Sequence, residues 1–522
     1  MAHRFAFRAV GLALCAALLA LSAAASPAPA RDAAASKAAK RAKKPKVVLE
    51  ACRHGCRYRT IQRAVDAAGS YKFKNPRAKV KVAIRPGRYA EGVVLDGRAR
   101  RKDFDGLTIA GTKRDPKRVI LEGRNARGKR GPARNGIEAI GVDGVVIRNL
   151  WARNYRSNGF SVHAATGRGQ RCVGYTMDNL LASGNRSHGL FARGCLGGRM
   201  INSAGYRQGD SAFHVGETPC EGPSWSVHGT APCQKRPTWT LLKNDRGYEN
   251  ALGYSGTNSK YVRIVESAFF DNGTGIVLNT LDGEGYEPNG WNLVERNDVF
   301  WNDYNHFLAA SGLGPASTGL GELSGQTLSY PTGVGIVLYG GDGNVVRRNK
   351  VFGNYKWGIA SFSGPGESSS SGAGESLVAN AGNEAKNVNN QIGENTMGRE
   401  GADPNGEYDF FNDDTGGGNC WGGNNAIATY APGNGSVPPS RIYPTCPQAP
   451  VAYDSVPSLN SRAGLQFDSA GDLGDPKTAL GYAATNPPQN QQCSWVRRVA
   501  THPPFQNYKP VEVAPAPGEL TC

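Results

Sequence analysis

Val262-Arg263-Ile264-Val265-Glu266-Ser267-Ala268-Phe269-Phe270-Asp271-Asn272-Gly273-Thr274-Gly275-Ile276-Val277-Leu278-Asn279 holds one unit of a pattern that recurs along the chain. A β-branched strand leads to a polar residue, here Ser267. An apolar stretch and a second polar residue, Asn272, follow. Then comes a glycine, a large apolar residue and strict alternation. The glycine phrase returns at Gly136-Ile137, Gly159-Phe160, Gly189-Leu190, Gly253-Tyr254, Gly335-Ile336 and Gly358-Ile359, with Ala212-Phe213 and His306-Phe307 as variants. Close neighbours are about 22–23 residues apart, a period that marks a solenoid whose repeats bury their apolar edges against one another. Period-2 alternation replaces helical periodicity. Three short strands per repeat predict an all-β, right-handed single-stranded parallel β-helix. The polar pairs, such as Asn149 with Asn154, Asn179 with Asn185, Ser203 with Gln208, Asn297 with Asn302 and Asn349 with Asn354, mark its corners. Asparagine suits them because it tolerates positive φ and bonds local backbone, and stacked coils would align it into ladders.

The chain has 522 residues, 69 of them glycine, with 39% hydrophobic residues and a net charge of +18. A solenoid accommodates this length as one domain. Residues 1–30 read as a signal peptide: basic His3, Arg4 and Arg8, an apolar run from Val10 to Leu21, then small residues ending at Ala25 or Ala30. Cys15 follows Leu14, a poor match to a lipoprotein box. The apolar run is too short for a membrane span. Residues 31–50, with Lys37, Lys40, Arg41, Lys43 and Lys44, read as a basic disordered linker. The β-helix is expected over 51–425. An irregular, proline-rich tail over 426–522 is expected to pack on it. Exported chains favour disulfides, and ten cysteines remain after the signal: Cys52, Cys56, Cys172, Cys195, Cys220, Cys233, Cys420, Cys446, Cys493 and Cys522. Nearest-neighbour pairing suits Cys172 with Cys195, one coil apart, and Cys220 with Cys233 around an insertion. The set lacks a second pair at zinc spacing beside Cys52 and Cys56.

A solenoid end needs a cap. Thr60 to Ala68 reads as a short amphipathic helix with Thr60 as N-cap, an apolar face of Ile61, Ala64, Val65 and Ala68, and Gly69 as its stop. A strand follows at Val80–Ile84, then Arg85-Pro86-Gly87-Arg88-Tyr89 and Val93-Val94-Leu95. This order, TIQRAVDAA followed by VAIRPGRYAEGVVL, resembles the N-terminal coil of the pectin-lyase-like superfamily of β-helix proteins. Phrases such as Gly275-Ile276-Val277-Leu278-Asn279 and Gly335-Ile336-Val337-Leu338-Tyr339 resemble repeats of secreted actinobacterial β-helix proteins of unestablished activity. The resemblance implies a fold shared by pectate lyases, polygalacturonases, pectin methylesterases, uronan epimerases and non-catalytic surface proteins. The catalytic signatures of the first three are not met: Arg114 to Arg118 and Arg130 to Arg134 fall one residue short of the lyase pattern. Asn279-Thr280-Leu281-Asp282 and Ser187-His188-Gly189 miss that of the polygalacturonases.

Alternation after each glycine supplies a direct search. The first outward column reads Glu138, Ser161, Phe191, His214, Ser255, Val277, Leu308, Val337 and Ala360. The second reads Ile140, His163, Arg193, Gly216, Thr257, Asn279, Ala310, Tyr339 and Phe362. His163, Arg193, His214 and Glu217 are the catalytic candidates; Asp210, Asn279, Asp282 and Tyr339 are the substrate-binding ones. Arginine can clamp a uronate carboxylate, and a histidine can act as base. Carboxylates could orient that histidine or hold Ca²⁺, although no metal site is defined. The expectation is a secreted, monomeric protein with lyase- or epimerase-type chemistry on an acidic extracellular polysaccharide. The alternative is a non-catalytic carbohydrate-binding or adhesion protein. The positive charge favours acidic glycans, whereas no motif supports nucleic acid.

Overall fold

A computed structural model describes residues 46–456, apart from 125–127, 130, 166–171, 221–232, 234, 282–284, 303–332, 355, 366–383, 399–404, 407, 413–415 and 426–438. Its coils stack as a parallel β-helix with three faces. In the quoted repeat, Val262–Val265 lies on the first face, Ala268–Phe270 on the second and Thr274–Asn279 on the third. Each strand pairs in parallel with its counterpart in the next coil, as Ile264 with Val294, Phe269 with Val299 and Ile276 with Ile336. The third face is a continuous ten-stranded sheet from Val93–Asp96 to Tyr408–Asn412. Parallel strands joined by short turns wind right-handed, as expected from strand twist.

The glycine phrase is explained by crowding between coils. A side chain at Gly136 would meet Gly159 O at 2.5 Å, and one at Gly275 would meet Gly335 O at 2.5 Å. From Gly136 to Gly358 the column holds glycine or, at Ala212, alanine; the last coil of the sheet places Asp409 there. The apolar residue after it turns inward: Ile137, Phe160, Leu190, Phe213, Tyr254, Ile276, Ile336 and Ile359 all enter one core.

The corners carry side-chain ladders. Asn297 donates its backbone N–H and Nδ2 to Asn349 Oδ1, both at 3.0 Å, and Asn349 repeats this toward Asn395, also at 3.0 Å. A second ladder runs Asn250, Asn272, Asn302, Asn354, Asn405. A third runs Asn292, Asn344, Asn390, Asn419. The backbone role is divided between neighbouring positions. Asn149, Asn154, Asn179, Asn202 and Asn244 take positive φ in the early coils, one place before the ladder position. In later coils Glu266, Arg296, Trp301 and Arg348 take that strained position, and the following Ser or Asn builds the ladder.

Several boundaries differ from the sequence reading. Lys46–Ala51 is a strand paired with Lys79–Ile84, so 46–50 is not linker: its β-branched core wins over its charge. Residues 1–45 lie outside the described ones. The helix spans Ile61–Lys74 with the expected Thr60 cap and buried face, and passes through Gly69. Gly69 serves contact instead, since a Cβ there would meet the Phe104 ring at 2.5 Å. His306-Phe307 falls outside the described residues; on the third face Ile276 pairs directly with Ile336. From the tail, Trp421 bridges Thr445 and Val451 N donates to Asn389 Oδ1, so 443–451 packs against the last coils. Residues 457–522 lie outside the described ones. Disulfides join Cys52–Cys56, Cys172–Cys195, Cys220–Cys233 and Cys420–Cys446, while Cys493 and Cys522 lie outside. No helix among the described residues is long and apolar enough to cross a membrane. One feature escaped the pattern: outward-facing Tyr206, Tyr248, Phe270, Phe300 and Phe352 stack along the second face, 5.0–5.2 Å apart.

Replacing Asn349 by Ala strands the Asn297 amide and removes the Nδ2 donor to Val294 O and Asn395 Oδ1. The unfolding midpoint should fall by an equivalent of about 2–4 kcal/mol, measured by denaturant titration. Arg199→Ala, on an exposed strand position, should change stability by less than about 0.5 kcal/mol.

Candidate active site

The two outward columns exist in the register the alternation implies, apart from Leu308 and Ala310, which lie outside the described residues. Glu138 pairs with Ser161, Ser161 with Phe191, and Phe191 with His214. Alongside them run Asp96, Ile140, His163, Arg193 and Gly216. The face is open only over the early coils. Val94 is 43% exposed and the Arg193 side chain 54%. From Ser211 onward the strands are buried on both sides. Val277, Val337, Trp357, Ala360, Phe362 and Phe411 make a second apolar cluster there.

This division sorts the candidates. His163 Nε2 lies 3.1 Å from Glu138 Oε1, and its Nδ1 lies 3.0 Å from Ala164 O. Both ring nitrogens therefore face acceptors, an arrangement only the doubly protonated imidazolium satisfies. Burial opposes the charge, but the Glu138 and Ala164 hydrogen bonds and the Glu138 charge outweigh it and raise the His163 pKa. Hydrogen bonding from His163 likewise holds Glu138 below the ordinary carboxylate range against its burial. In the adjacent coil Arg193 Nε donates to Glu217 Oε1 at 2.6 Å. Glu217, at positive φ just after its strand, is 7% exposed.

His214 has the opposite environment. It is 8% exposed and stacks with Phe191 and His188, at ring separations of 4.8 and 4.7 Å. Its Nδ1 is buried without a hydrogen-bond partner. Burial, reinforced by the His188 and Arg193 charges, holds its pKa well below the ordinary imidazole range. Its surroundings favour the neutral imidazole. His188 bonds Ser211 Oγ at 2.8 Å and approaches Asp210 at 3.7 Å, so Asp210 serves His188 rather than His214.

The later candidates are not gathered in. Asn279 is fully buried and donates to Thr257 Oγ1 at 3.2 Å. Tyr339 packs edge-on against Phe362, in the closed region. Both are too far along the sheet, where apolar neighbours exclude the groove. Asp282 lies outside the described residues. Among the described residues no group of three or more His, Cys, Asp or Glu is placed to hold a metal ion. Sequence reasoning passed over Glu138 and Phe191, which stood in its outward column. It also missed His188, which precedes the glycine and folds back over the face.

The insertions point to the same face. Ladder asparagines Asn250 and Asn272 are 22 residues apart, but the next intervals are 30, 52 and 51. Most of the extra residues enter at 217–239, 280–291, 303–332 and 363–386, each beside an end of a third-face strand. Solenoids place insertions on loops of one face, often the binding face.

No protein-family model and no curated protein sequence matches the chain. Among solved structures, the A-module of the Azotobacter vinelandii mannuronan C-5 epimerase AlgE4 is similar at 12% identity, over 70% of this chain and 90% of its own, with a TM-score of 0.47. The A-module of the epimerase AlgE6 from the same organism covers 71% of this chain and 91% of its own at 14% identity, with a TM-score of 0.42. An alginate lyase from a Paenibacillus species covers 74% and 97% at 12% identity, with a TM-score of 0.35. The chemistry open to this chain is read from its own side chains.

The His163–Glu138 pair has a defined pH window. His163, raised on folding, adds stability below its unfolded pKa and loses it as pH rises through its folded value. Glu138, lowered on folding, adds stability above its unfolded pKa and loses it as pH falls through its folded value. The pair thus contributes most between the lowered carboxylate and the raised imidazole. Glu138→Gln should lower the His163 pKa in an NMR titration of the histidine ring protons, and should leave His188 and His214 neutral. An unmoved His163 would show that the carboxylate does not hold its charge.

Proposed function

We propose that the protein is an exported enzyme that acts on an acidic polysaccharide by removing the proton next to a uronate carboxylate, with a lyase or epimerase outcome. One observation carries this reading: on one sheet face Arg193 lies between His163, whose two ring nitrogens both face acceptors, and His214, whose buried Nδ1 faces none. Two titratable groups of one kind, driven apart by their surroundings, are the mark of an acid and a base. His163 and Arg193 lie in adjacent coils about 4.8 Å apart. Together they offer positive charge to a carboxylate, with Glu217 as the partner that the substrate's carboxylate displaces from Arg193. Neutralising the carboxylate acidifies the neighbouring C–H. His214, one coil beyond Arg193, is the base: its uncharged imidazole accepts the proton. His163 is then the acid. It returns a proton to the glycosidic oxygen in elimination, or to carbon in epimerisation. The phenyl ring of Phe191 offers an apolar surface for the sugar between them. Hydrolysis by paired carboxylates fits less well, because Glu138 and Glu217 are each committed to a cation.

The N-terminal segment 1–30 and the disulfides support export. Turnover on a panel of polyuronates should appear as absorbance of an unsaturated product, or as solvent deuterium entering the sugar. His214→Asn should reduce it by about 10²–10⁴. Arg193→Ala should raise KM and lower kcat together. The rate should be bell-shaped in pH, falling at low pH as His214 gains a proton and at high pH as His163 loses one. Tight binding of every polymer with neither product would sink the enzyme reading and leave an adhesion role.

A further inference from the structure

Away from the third face, an open cleft of about 770 Å³ lies at the amino-terminal end of the solenoid. Second-face strands bring Arg88 and Arg153 to it, the turn after Glu122 brings Arg124, and the segment before the capping helix brings Arg53 and Arg59. Glu122 is 2% exposed. Its oxygens are fully engaged, by Arg153 Nε at 2.7 Å, Asn154 Nδ2 at 2.9 Å, Arg88 Nη2 at 3.0 Å and the Arg124 amide at 3.2 Å. The other lining carboxylate, Glu91, accepts the Ile61 and Gln62 amides at 2.9 and 3.1 Å.

Both acids are thus occupied. Glu122 holds two arginines in place, and Glu91 occupies the helix N-terminus. Among the described residues Arg53, Arg59 and Arg124 have no carboxylate partner, and all three are exposed. Five guanidinium groups line a concave surface that offers only two carboxylates. Such a fork-shaped donor array is complementary to planar or tetrahedral oxyanions. The cleft adjoins the corner through Ala90 and Glu91 that leads into Val93, the first strand of the open third face.

We propose that this cleft is a second glycan site, binding an oxyanion, carboxylate or sulfate, carried on a polysaccharide chain. It anchors the polymer beside the start of the third-face groove. This rests on the reading of the protein as one that meets acidic glycans, but not on turnover at His163 and His214.

The test uses the full chain with polygalacturonate, dextran sulfate and neutral dextran, at low and high salt. Binding is measured by titration calorimetry on wild type, on Arg53→Ala/Arg59→Ala/Arg124→Ala and on a charge-matched control, Arg118→Ala/Arg148→Ala/Arg199→Ala. Melting profiles verify folding of each variant. The cleft triple should weaken binding of one or both charged polymers by about tenfold or more at low salt, and the loss should shrink as salt rises. The control should lose less than about threefold. Preference between the two charged polymers identifies the oxyanion. Unchanged binding by the cleft triple, an equal loss in the control, or equal affinity for neutral dextran overturns the proposal, as does failure of wild type to bind either charged polymer. Cleft-dependent binding without turnover would sink only the enzyme reading. Turnover with cleft-independent binding would sink only this one.

Discussion

The fold depends on how closely one coil can lie on the next. At the corners before the third-face strands from Ile137 to Ile359, backbone approaches backbone so tightly that glycine, or alanine at Ala212, stands in every one. At the other corners, buried backbone amides find their acceptors in side chains of the neighbouring coil. An asparagine there does three jobs: it accepts from the coil before, donates to a carbonyl, and donates to the coil after. Asn349 shows all three. Buried backbone groups without partners are costly, so each ladder residue constrains the height and phase of its corner. The columns of outward side chains follow from that constraint. Residues far apart in sequence, such as Glu138 and His163, meet because their corners are locked in step.

The same constraint dictates where variation is tolerated. An added residue inside a ladder corner would break three hydrogen bonds at once. Added residues beyond the strand ends need only reach outward. The chain accordingly carries its extra length next to the third face, and the ladder intervals grow from 22 to 52 residues without loss of register. Loops of this kind can shape a groove while the scaffold beneath stays rigid. Further along the third face the outward columns turn apolar and buried, so the groove closes at the coil of His214.

Most of the fold was legible because its period is written in residues that have few alternatives. Gly275 and Ile276 could be read as a corner and an inward strand position without any coordinates. The first strand was less legible, because Lys46 and the lysines before it mask the alternation of Val47 and Leu49. The site was half legible. Alternation gave the column that holds His163 and Arg193, and the one that holds His214. It could not say that Glu138 pairs with His163, that Asp210 faces His188, or that Asn279 is sealed off. Those depend on rotamers and on what covers the sheet, and neither has a period. His188 was hidden for a related reason: it sits before the glycine, where the repeat assigns a corner and not a face.

The contrast between His163 and His214 arises from position along the solenoid. Both are histidines on outward-facing strand positions, two coils apart, roughly 10 Å along the axis. His163 stands where the face is open, beside a carboxylate and a carbonyl that favour its cation. His214 stands where the face begins to close, stacked on Phe191 and His188, so burial favours its neutral form. Arg193 stands between them, and its charge further disfavours protonation of His214. A single amino-acid type can therefore supply both proton donor and proton acceptor on one rigid sheet. The boundary between open and closed coils produces that difference, and a groove that was uniformly open or uniformly covered would give two imidazoles of the same kind.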